Sequence, residues 1–256
     1  MEKPYVGVTG LTTVDQVKST CSDFRRFHSL IRSSHLSMAG FLVSYKTLNG
    51  EEGSKRYPKV KDLRELLEAA GEGIFTTIHY NSREDHLADQ VSRVFDGIYQ
   101  DNLCKGLQLN ISWPNSRQVS KIKHKFPGMK IIFQVSHKVM EGYNSRTLAR
   151  NVRDKYGNDL SYVLIDPSGG REQRFEIDSS FEVYGELRDR CPELTVGFAG
   201  GLTGSIVRDR VNRLTKKIGN TNFSIDAEGG LRDGKDELNP DKVRNYIMSS
   251  ALAFSD

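Results

Sequence analysis

Polar side chains that close short apolar runs mark the places where this chain could do chemistry. Asp166 follows Tyr162-Val163-Leu164-Ile165 and precedes Pro167-Ser168-Gly169-Gly170. A carboxyl group at the end of a buried strand, facing a glycine-rich loop, is placed to act as a general acid. Its competing reading is a cap or an ion-pair partner. Thr9, Asn110, His137, Asp226 and Glu228 stand at comparable points after other apolar runs. Arg56 lies in the polar segment 44–59, which is too long for an ordinary connection and suits a lid or ligand clamp. Its guanidinium has the fork geometry to hold a carboxylate, although a solvated arginine is the commoner finding.

Two glycine pairs add a different capability. Gly200-Gly201 and Gly229-Gly230 end the last two apolar runs. Paired glycines let backbone N–H groups approach a ligand closely, so consecutive late loops of this kind are read as a phosphate cradle. Either pair alone is equally well a turn. No metal is expected, because His79 and His86 lack helical ligand spacing and the other histidines are isolated. Cys21, Cys104 and Cys191 form no CxxC pair, which argues against both a zinc site and a disulfide framework. Trp113 is read as a packing residue, and the run Lys121–Lys125 as a solvated helix face.

The elements that must position these residues alternate along the whole chain. Strands are predicted over Tyr5–Thr9, Met38–Ser44, Ile74–Tyr80, Gly106–Ser112, Lys130–His137, Tyr162–Ser168, Thr195–Gly201 and Phe223–Ala227. Helices are predicted over Thr13–Ile31, Val60–Ala70, Asp85–Tyr99, Ser116–Phe126, Ser145–Lys155, Ser179–Arg190, Ile206–Ile218 and Pro240–Ala251. Gly71, Gly157 and Gly219 stand just beyond helix ends, and Asn239-Pro240 opens the last helix. About eight strand–helix units without a composition break predict a closed (β/α)8 barrel, one domain over residues 1–256. An open doubly wound sheet is the alternative, but Gly7-Val8-Thr9-Gly10-Leu11-Thr12 lacks the G-x-G-x-x-G fingerprint of its dinucleotide-binding form. In a barrel the strand-end residues converge on the carboxyl-terminal face.

Composition narrows the partners. The 256 residues are 37% hydrophobic and 27% charged, as expected of a folded globular chain. A net charge of +4 with dispersed basic residues gives no reason to expect nucleic acid. No run is long and apolar enough for a bilayer, and Met1–Pro4 does not resemble a secretory leader, so neither a membrane partner nor secretion is expected and the chain reads as cytoplasmic. No cofactor is implied, and the expected partner is a small phosphorylated molecule. Oligomeric state is not legible.

Taken together, the motifs resemble those of phosphoribosylanthranilate isomerase, a family of tryptophan-pathway enzymes. Gly10-Leu11-Thr12, Gly40-Phe41 and Ser54-Lys55-Arg56-Tyr57 are similar to the family's C-G-L-T, G-F and S-P-R-Y elements. Gln108-Leu109-Asn110 is similar to Q-L-H, and Asp166 with Gly169-Gly170 and Phe175 to its L-D-S and glycine-rich loop. Ala199-Gly200-Gly201-Leu202 resembles A-G-G-L, and Asp226–Gly230 with Gly234-Lys235-Asp236 resembles D-V-S-S-G-V-E followed by G-x-K-D. The matches keep the family's order from the first strand to the last.

The resemblance implies an Amadori rearrangement, in which a general acid opens the ribose ring to a Schiff base and a general base removes the C2′ proton. It assigns the acid to Asp166 and the anthranilate end to Arg56, with Asn110, Gly169 and Gly170 bordering the substrate. The chain departs from the pattern at the base: Thr9 stands where the family has cysteine, and Gly7 where it has lysine. Glu228 and Gly229 replace the family's two serines. If strands one and eight are neighbours, Glu228 is a candidate substitute base beside Thr9; its pairing with Arg232 or another cation is the alternative. Three readings follow: an isomerase with a substitute base, an enzyme of different specificity on the same barrel, or a non-catalytic binder of a small phosphorylated or carboxylated ligand.

Overall fold

The computed structural model describes residues 1–31, 34–51, 53–168 and 177–255. Its strands are β1 (Tyr5–Thr9), β2 (Leu36–Ser44), β3 (Ile74–Asn81), β4 (Gly106–Leu109), β5 (Lys130–Ser136), β6 (Tyr162–Asp166), β7 (Thr195–Ala199) and β8 (Ser224–Ala227). Each pairs in parallel with the next, and Val6↔Ile225, Gly7↔Asp226 and Val8↔Ala227 join β1 to β8. That last pairing separates a (β/α)8 barrel from an open sheet, because it leaves no edge strand.

The helices that follow the strands are α1 (Val14–Ile31), α2 (Leu63–Ala70), α3 (Leu87–Phe95), α4 (Ser116–Lys125), α5 (Ser145–Tyr156), α6 (Ile177–Arg190), α7 (Val207–Ile218) and α8 (Pro240–Ala253). Their boundaries have local causes. Asn115, Asn144 and Asn239 accept backbone N–H groups at the starts of α4, α5 and α8, which satisfies donors that the helix itself cannot. Gly71, Gly157 and Gly219 end α2, α5 and α7 with φ of 69°, 48° and 81°, where a side chain would be strained. Helix α2 shows the face that docks, burying Leu63, Leu66, Leu67 and Ala70 at helical spacing. No helix among the described residues is long and apolar enough to cross a membrane.

Two of the strand-to-helix loops differ from expectation. The segment 44–59 contains a helical turn, Tyr45–Leu48, held by a reciprocal capping box between Ser44 and Thr47. Lys55 and Arg56 then pair with Glu237 and Asp236 in the loop after β8, so the segment is pinned over the end of β1, which lies between β2 and β8. After β5, His137–Met140 forms another helical turn, and His137 pairs at its exposed end with Glu141, 3.2 Å away.

The core has two layers. The larger lies between barrel and helices, where strand residues such as Val8, Phe41, Ile78 and Phe198 meet the helices. The smaller fills the lower barrel with Tyr5, Met38, Ile132, Tyr162 and Leu164, and the Tyr5 and Tyr162 rings stand edge-on at 5.3 Å. Each such side chain contributes about 1.5–3 kcal/mol by leaving water. Above this plug the inward positions turn polar: His79, Gln108, Gln134, Asp166 and Asp226.

Candidate active site

The carboxyl-terminal end of the barrel holds a cavity of about 470 Å³. Arg56, Asn110, Asp166, Glu228 and both glycine pairs line it, so strand ends far apart in sequence converge there. Gly169 and Gly170 lie outside the described residues. His137 does not join them and faces a neighbouring groove instead.

Thr9 lies under the cavity wall, 1% exposed. Its hydroxyl is 2.9 and 3.1 Å from the two Asp226 carboxyl oxygens, and 3.4 Å from His79 Nε2. Two glycines make the room for this contact. A Cβ on Gly7 would sit 2.6 Å from Asp226 Oδ1, and one on Gly40 would sit 2.5 Å from Thr9 Oγ1 and 2.9 Å from His79 Nε2. Burial raises the Asp226 pKa to about 8, opposed by the Thr9 hydrogen bond and assisted by the charges of Glu228 and Asp166. Burial also lowers the His79 pKa to about 3, so its imidazole is neutral.

Asp166 heads a second network. Oδ1 accepts from the Ser168 hydroxyl at 2.7 Å and from the Ser168 N–H at 3.2 Å, while Oδ2 accepts from Gln134 Nε2 at 2.6 Å. Gln134 Oε1 accepts from Gln108 Nε2 at 3.4 Å, and the same nitrogen donates to Asn110 Oδ1 at 2.9 Å. These bonds link the three amides of Gln134, Gln108 and Asn110 into one chain that starts at Asp166.

The charged wall is built by loops from β2 and β8. Arg56 Nε donates to both Asp236 oxygens at 2.9 Å, Nη2 reaches Asp236 at 2.7 Å, and Nη1 donates to Glu228 at 3.3 Å. Those bonds hold the Arg56 pKa up, the Asp236 bond most of all. Arg232, almost fully buried, donates to the carbonyls of Asp236 (2.8 Å) and Gly10 (3.2 Å) and lies 3.7 Å from Glu228. Burial raises the Glu228 pKa, although Arg232 and Arg56 oppose it. Glu228 is therefore ion-paired as the alternative reading had it, and the carboxylate on Thr9 is Asp226.

Gly230 belongs to a short turn, Gly229–Leu231, packed against the backbone of Leu202 so tightly that a Cβ would collide with it. Gly200 has φ of 107°, and its Cα faces Asp166 and Ser168. Arg210 from α7 and Lys242 from α8 line the same part of the cavity. Arg210 has no ion-pair or hydrogen-bond partner at Nε among the described residues.

His79, Gln134 and Arg210 line the cavity and were not singled out as site residues from the sequence. His79 and Gln134 were detectable as polar residues in phase with the inward positions Phe75 and Ile132 of otherwise apolar strands. Arg210 carried no signal, since one arginine on a helix with several cations looks solvated.

Fold and cavity define a (β/α)8 barrel with a polar carboxyl-terminal site, in the form many barrel enzymes share. No family model and no curated protein matches the sequence. Solved structures do match, and isomerases of the family that the motifs resemble are among them. Phosphoribosyl anthranilate isomerase from Thermus thermophilus is 16% identical with a TM-score of 0.64, over 97% of this chain and 98% of that one. The isomerase in complex with reduced 1-(o-carboxyphenylamino)-1-deoxyribulose 5-phosphate is 16% identical with a TM-score of 0.62, over 96% and 98%. The tryptophan synthase alpha subunit from Campylobacter jejuni is 13% identical with a TM-score of 0.59, over 97% and 95%. Likeness at these identities establishes the fold.

Proposed function

We propose that this chain catalyses an aldose–ketose rearrangement of a phosphorylated sugar amine, with Asp166 as general acid and Asp226, seated on Thr9, as general base. The observation that carries the reading is the pair of carboxyls, Asp166 and Asp226, lining one cavity in different environments. Asp166 is held by Ser168 and Gln134 beside the glycine of the β7 loop. Asp226 is buried, with a pKa of about 8, close to the pH at which a base must both be ionised and hold a proton. Two carboxyls with different surroundings divide acid and base roles.

In this reading the phosphate rests among Gly200, Gly201, Gly229 and Gly230, with Arg210 and Lys242 as the available cations. Asp166 delivers its proton to the ring oxygen as the C1–O bond breaks and the nitrogen lone pair forms the Schiff base. Asp226 then takes the C2 proton, and the electrons of that C–H bond move to neutralise the iminium as the enolamine, which tautomerises to the ketone. Thr9, with a hydroxyl pKa far too high to act as the base itself, orients the Asp226 carboxylate. Turnover of phosphoribosylanthranilate by wild type, Asp226→Asn and Asp166→Asn tests the assignment. A loss of about 10²–10⁴-fold in kcat is expected for each substitution, and an Asp226→Asn enzyme with wild-type kcat would refute the base.

The burial of Thr9 favours one second reading, a non-catalytic binder that retains the anion cradle. Binding of the reduced ribulose 5-phosphate adduct without turnover, in wild type and in Thr9→Cys alike, would select it.

A further inference from the structure

The hydroxyl of Thr9 has two polar neighbours, and only one of them can receive its proton. Thr9 closes β1, Asp226 lies beside it on β8, and His79 lies on β3, two strands away on the other side. Adjacent strands stand about 4.8 Å apart, so side chains from β1 and β3 are ordinarily kept apart by an inward side chain of β2. In this barrel the β2 residue paired with Thr9 is Gly40. A Cβ there would lie 2.5 Å from Thr9 Oγ1 and 2.9 Å from His79 Nε2; without it the two atoms stand 3.4 Å apart. His79, Thr9 and Asp226 thus form a buried row across four strands, each residue at most 5% exposed.

The row has a direction. As the base of the proposed function Asp226 is ionised, and an ionised carboxylate can only accept. Thr9 therefore donates its one proton to Asp226, whose two oxygens lie 2.9 and 3.1 Å away. Oγ1 is left with lone pairs, so it can bond His79 only if Nε2 is the donor. Burial keeps the imidazole neutral, with its pKa lowered to about 3, and a neutral ring carries a single N–H, which this contact places on Nε2. The same low pKa makes His79 too weak a base to take a proton from a substrate at neutral pH. Once Asp226 holds a proton the direction is released, because the acid can itself donate to Oγ1. The His79 N–H therefore favours the charged form of Asp226 over the neutral one.

We infer that His79 is a positioning residue: its Nε2–H donates to Thr9 Oγ1, which commits the Thr9 proton to Asp226 and holds that carboxylate ready for the substrate. The inference deepens the proposed function and rests on Asp226 being its base. Other groups also act on Asp226. Glu228 and Asp166 raise its affinity for a proton, and Tyr5 from β1 and Tyr246 from α8 feel its charge. Arg56 from the β2 loop, Arg210 from α7, Arg232 after β8 and Lys242 from α8 line the same cavity. All of these stay in place when only position 79 is changed, so they cancel in a comparison of variants.

Two measurements on the full chain, made without substrate, test it. Carbon-13 NMR of aspartate-labelled protein, with Asp226→Asn identifying the signal, gives the pH midpoint of Asp226. His79→Leu, which removes the donor, is expected to raise that midpoint by about half to one pH unit, or three- to tenfold in proton affinity. His79→Gln, which keeps an N–H near the Nε2 position, is expected to restore most of the shift. An unchanged midpoint in His79→Leu, or an equal rise in both variants, overturns the inference. Nitrogen-15 NMR of the wild-type histidines does not depend on either variant folding. Above the Asp226 midpoint His79 should be the Nε2–H tautomer, and the Nδ1–H tautomer overturns the inference. Where phosphoribosylanthranilate is turned over, the acid limb of kcat/KM should move to higher pH in His79→Leu together with the midpoint. No turnover by wild type, with the midpoint shift as expected, removes the proposed function and leaves the His79 hydrogen bond standing; turnover without the shift does the reverse.

Discussion

Replacing Asp226 with asparagine should make the protein more stable at neutral pH, and under the proposed function it should also abolish turnover. The carboxyl lies inside the barrel, 5% exposed, and among the described residues the Thr9 hydroxyl and a backbone group receive its charge. Its pKa is about 8 in the folded chain, against an ordinary value of 3.8. Because the folded pKa is the higher, the folded state binds the extra proton. The associated stability is complete below pH 3.8 and is lost as pH rises through the window up to about 8. At pH 7 the unfolded carboxyl is ionised and the folded one mostly protonated, so folding takes up a proton at a cost of about 1.4 kcal/mol for each pH unit above 3.8, roughly 4 kcal/mol. Asparagine keeps the shape and the Thr9 hydrogen bond and carries no charge. Since ionisation draws in some water, we expect Asp226→Asn to gain roughly 2–4 kcal/mol at pH 7, or on the order of 5–15 °C in Tm. At pH 4 the gain should be close to zero. Thermal melts of wild type and variant at pH 4.5, 6 and 7.5, followed by Trp113 fluorescence and far-ultraviolet circular dichroism, measure the difference curve. Titrations elsewhere cancel in that difference. A variant less stable at pH 7.5, or a gain independent of pH, would refute the reasoning.

Three further outcomes follow from the same packing. Gly40→Ala puts a methyl group 2.5 Å from the Thr9 hydroxyl oxygen and should lower stability by roughly 1–3 kcal/mol; an unchanged melting temperature would contradict the close approach. His35 and His79 have pKa values lowered by burial to about 4 and about 3, below the unfolded value, so the unfolded chain binds the extra proton as pH falls under 6.5. Stability should therefore decline between pH 6.5 and 4, by roughly 2–3 kcal/mol per histidine at pH 4.5, and urea midpoints of His35→Gln should show a shallower decline. Arg232→Met removes the donors to the Gly10 and Asp236 carbonyls from a nearly buried position and should destabilise by roughly 3 kcal/mol. Lys55→Met, from an exposed pair, should change stability by less than about 1 kcal/mol; equal effects in urea titrations would show that burial is not the cause.

Much of the barrel was legible because its cause is local. Runs such as Val163-Leu164-Ile165 can bury both faces only in a covered parallel sheet, and Asn239-Pro240 and Gly219 punctuate helices by their own conformational limits. The long loop after β2 was legible by length and Arg56 by type, but not the pairing of Arg56 with Asp236, 180 residues away. The same holds for the carboxyl that meets Thr9. Alternation would put Asp226 and Glu228 on the same side, so the pleat does not choose between them; Gly7↔Asp226 sets the register, and β8 ends at Ala227, so that Glu228 lies outside the strand. A difference of two residues along the chain separates an inward carboxyl under Thr9 from an ion-paired one at the rim.

That geometry also gives threonine a reason at position 9. A thiol is a weak hydrogen-bond donor, whereas a hydroxyl 2.9 Å from a carboxylate is a strong one. With Gly7 in place of a bulky side chain, the space beneath the cavity belongs to Asp226, and a buried carboxylate needs a donor more than it needs a second nucleophile. Gly7, Thr9 and Gly40 therefore act together in one arrangement. Gly7 admits the carboxyl, Gly40 lets Thr9 and His79 close around it, and among the described residues Thr9 supplies the side-chain hydrogen bonding that holds its charged form. The stability given up by burying that charge, released in Asp226→Asn, measures how far the barrel has been bent toward keeping an ionisable group in its centre.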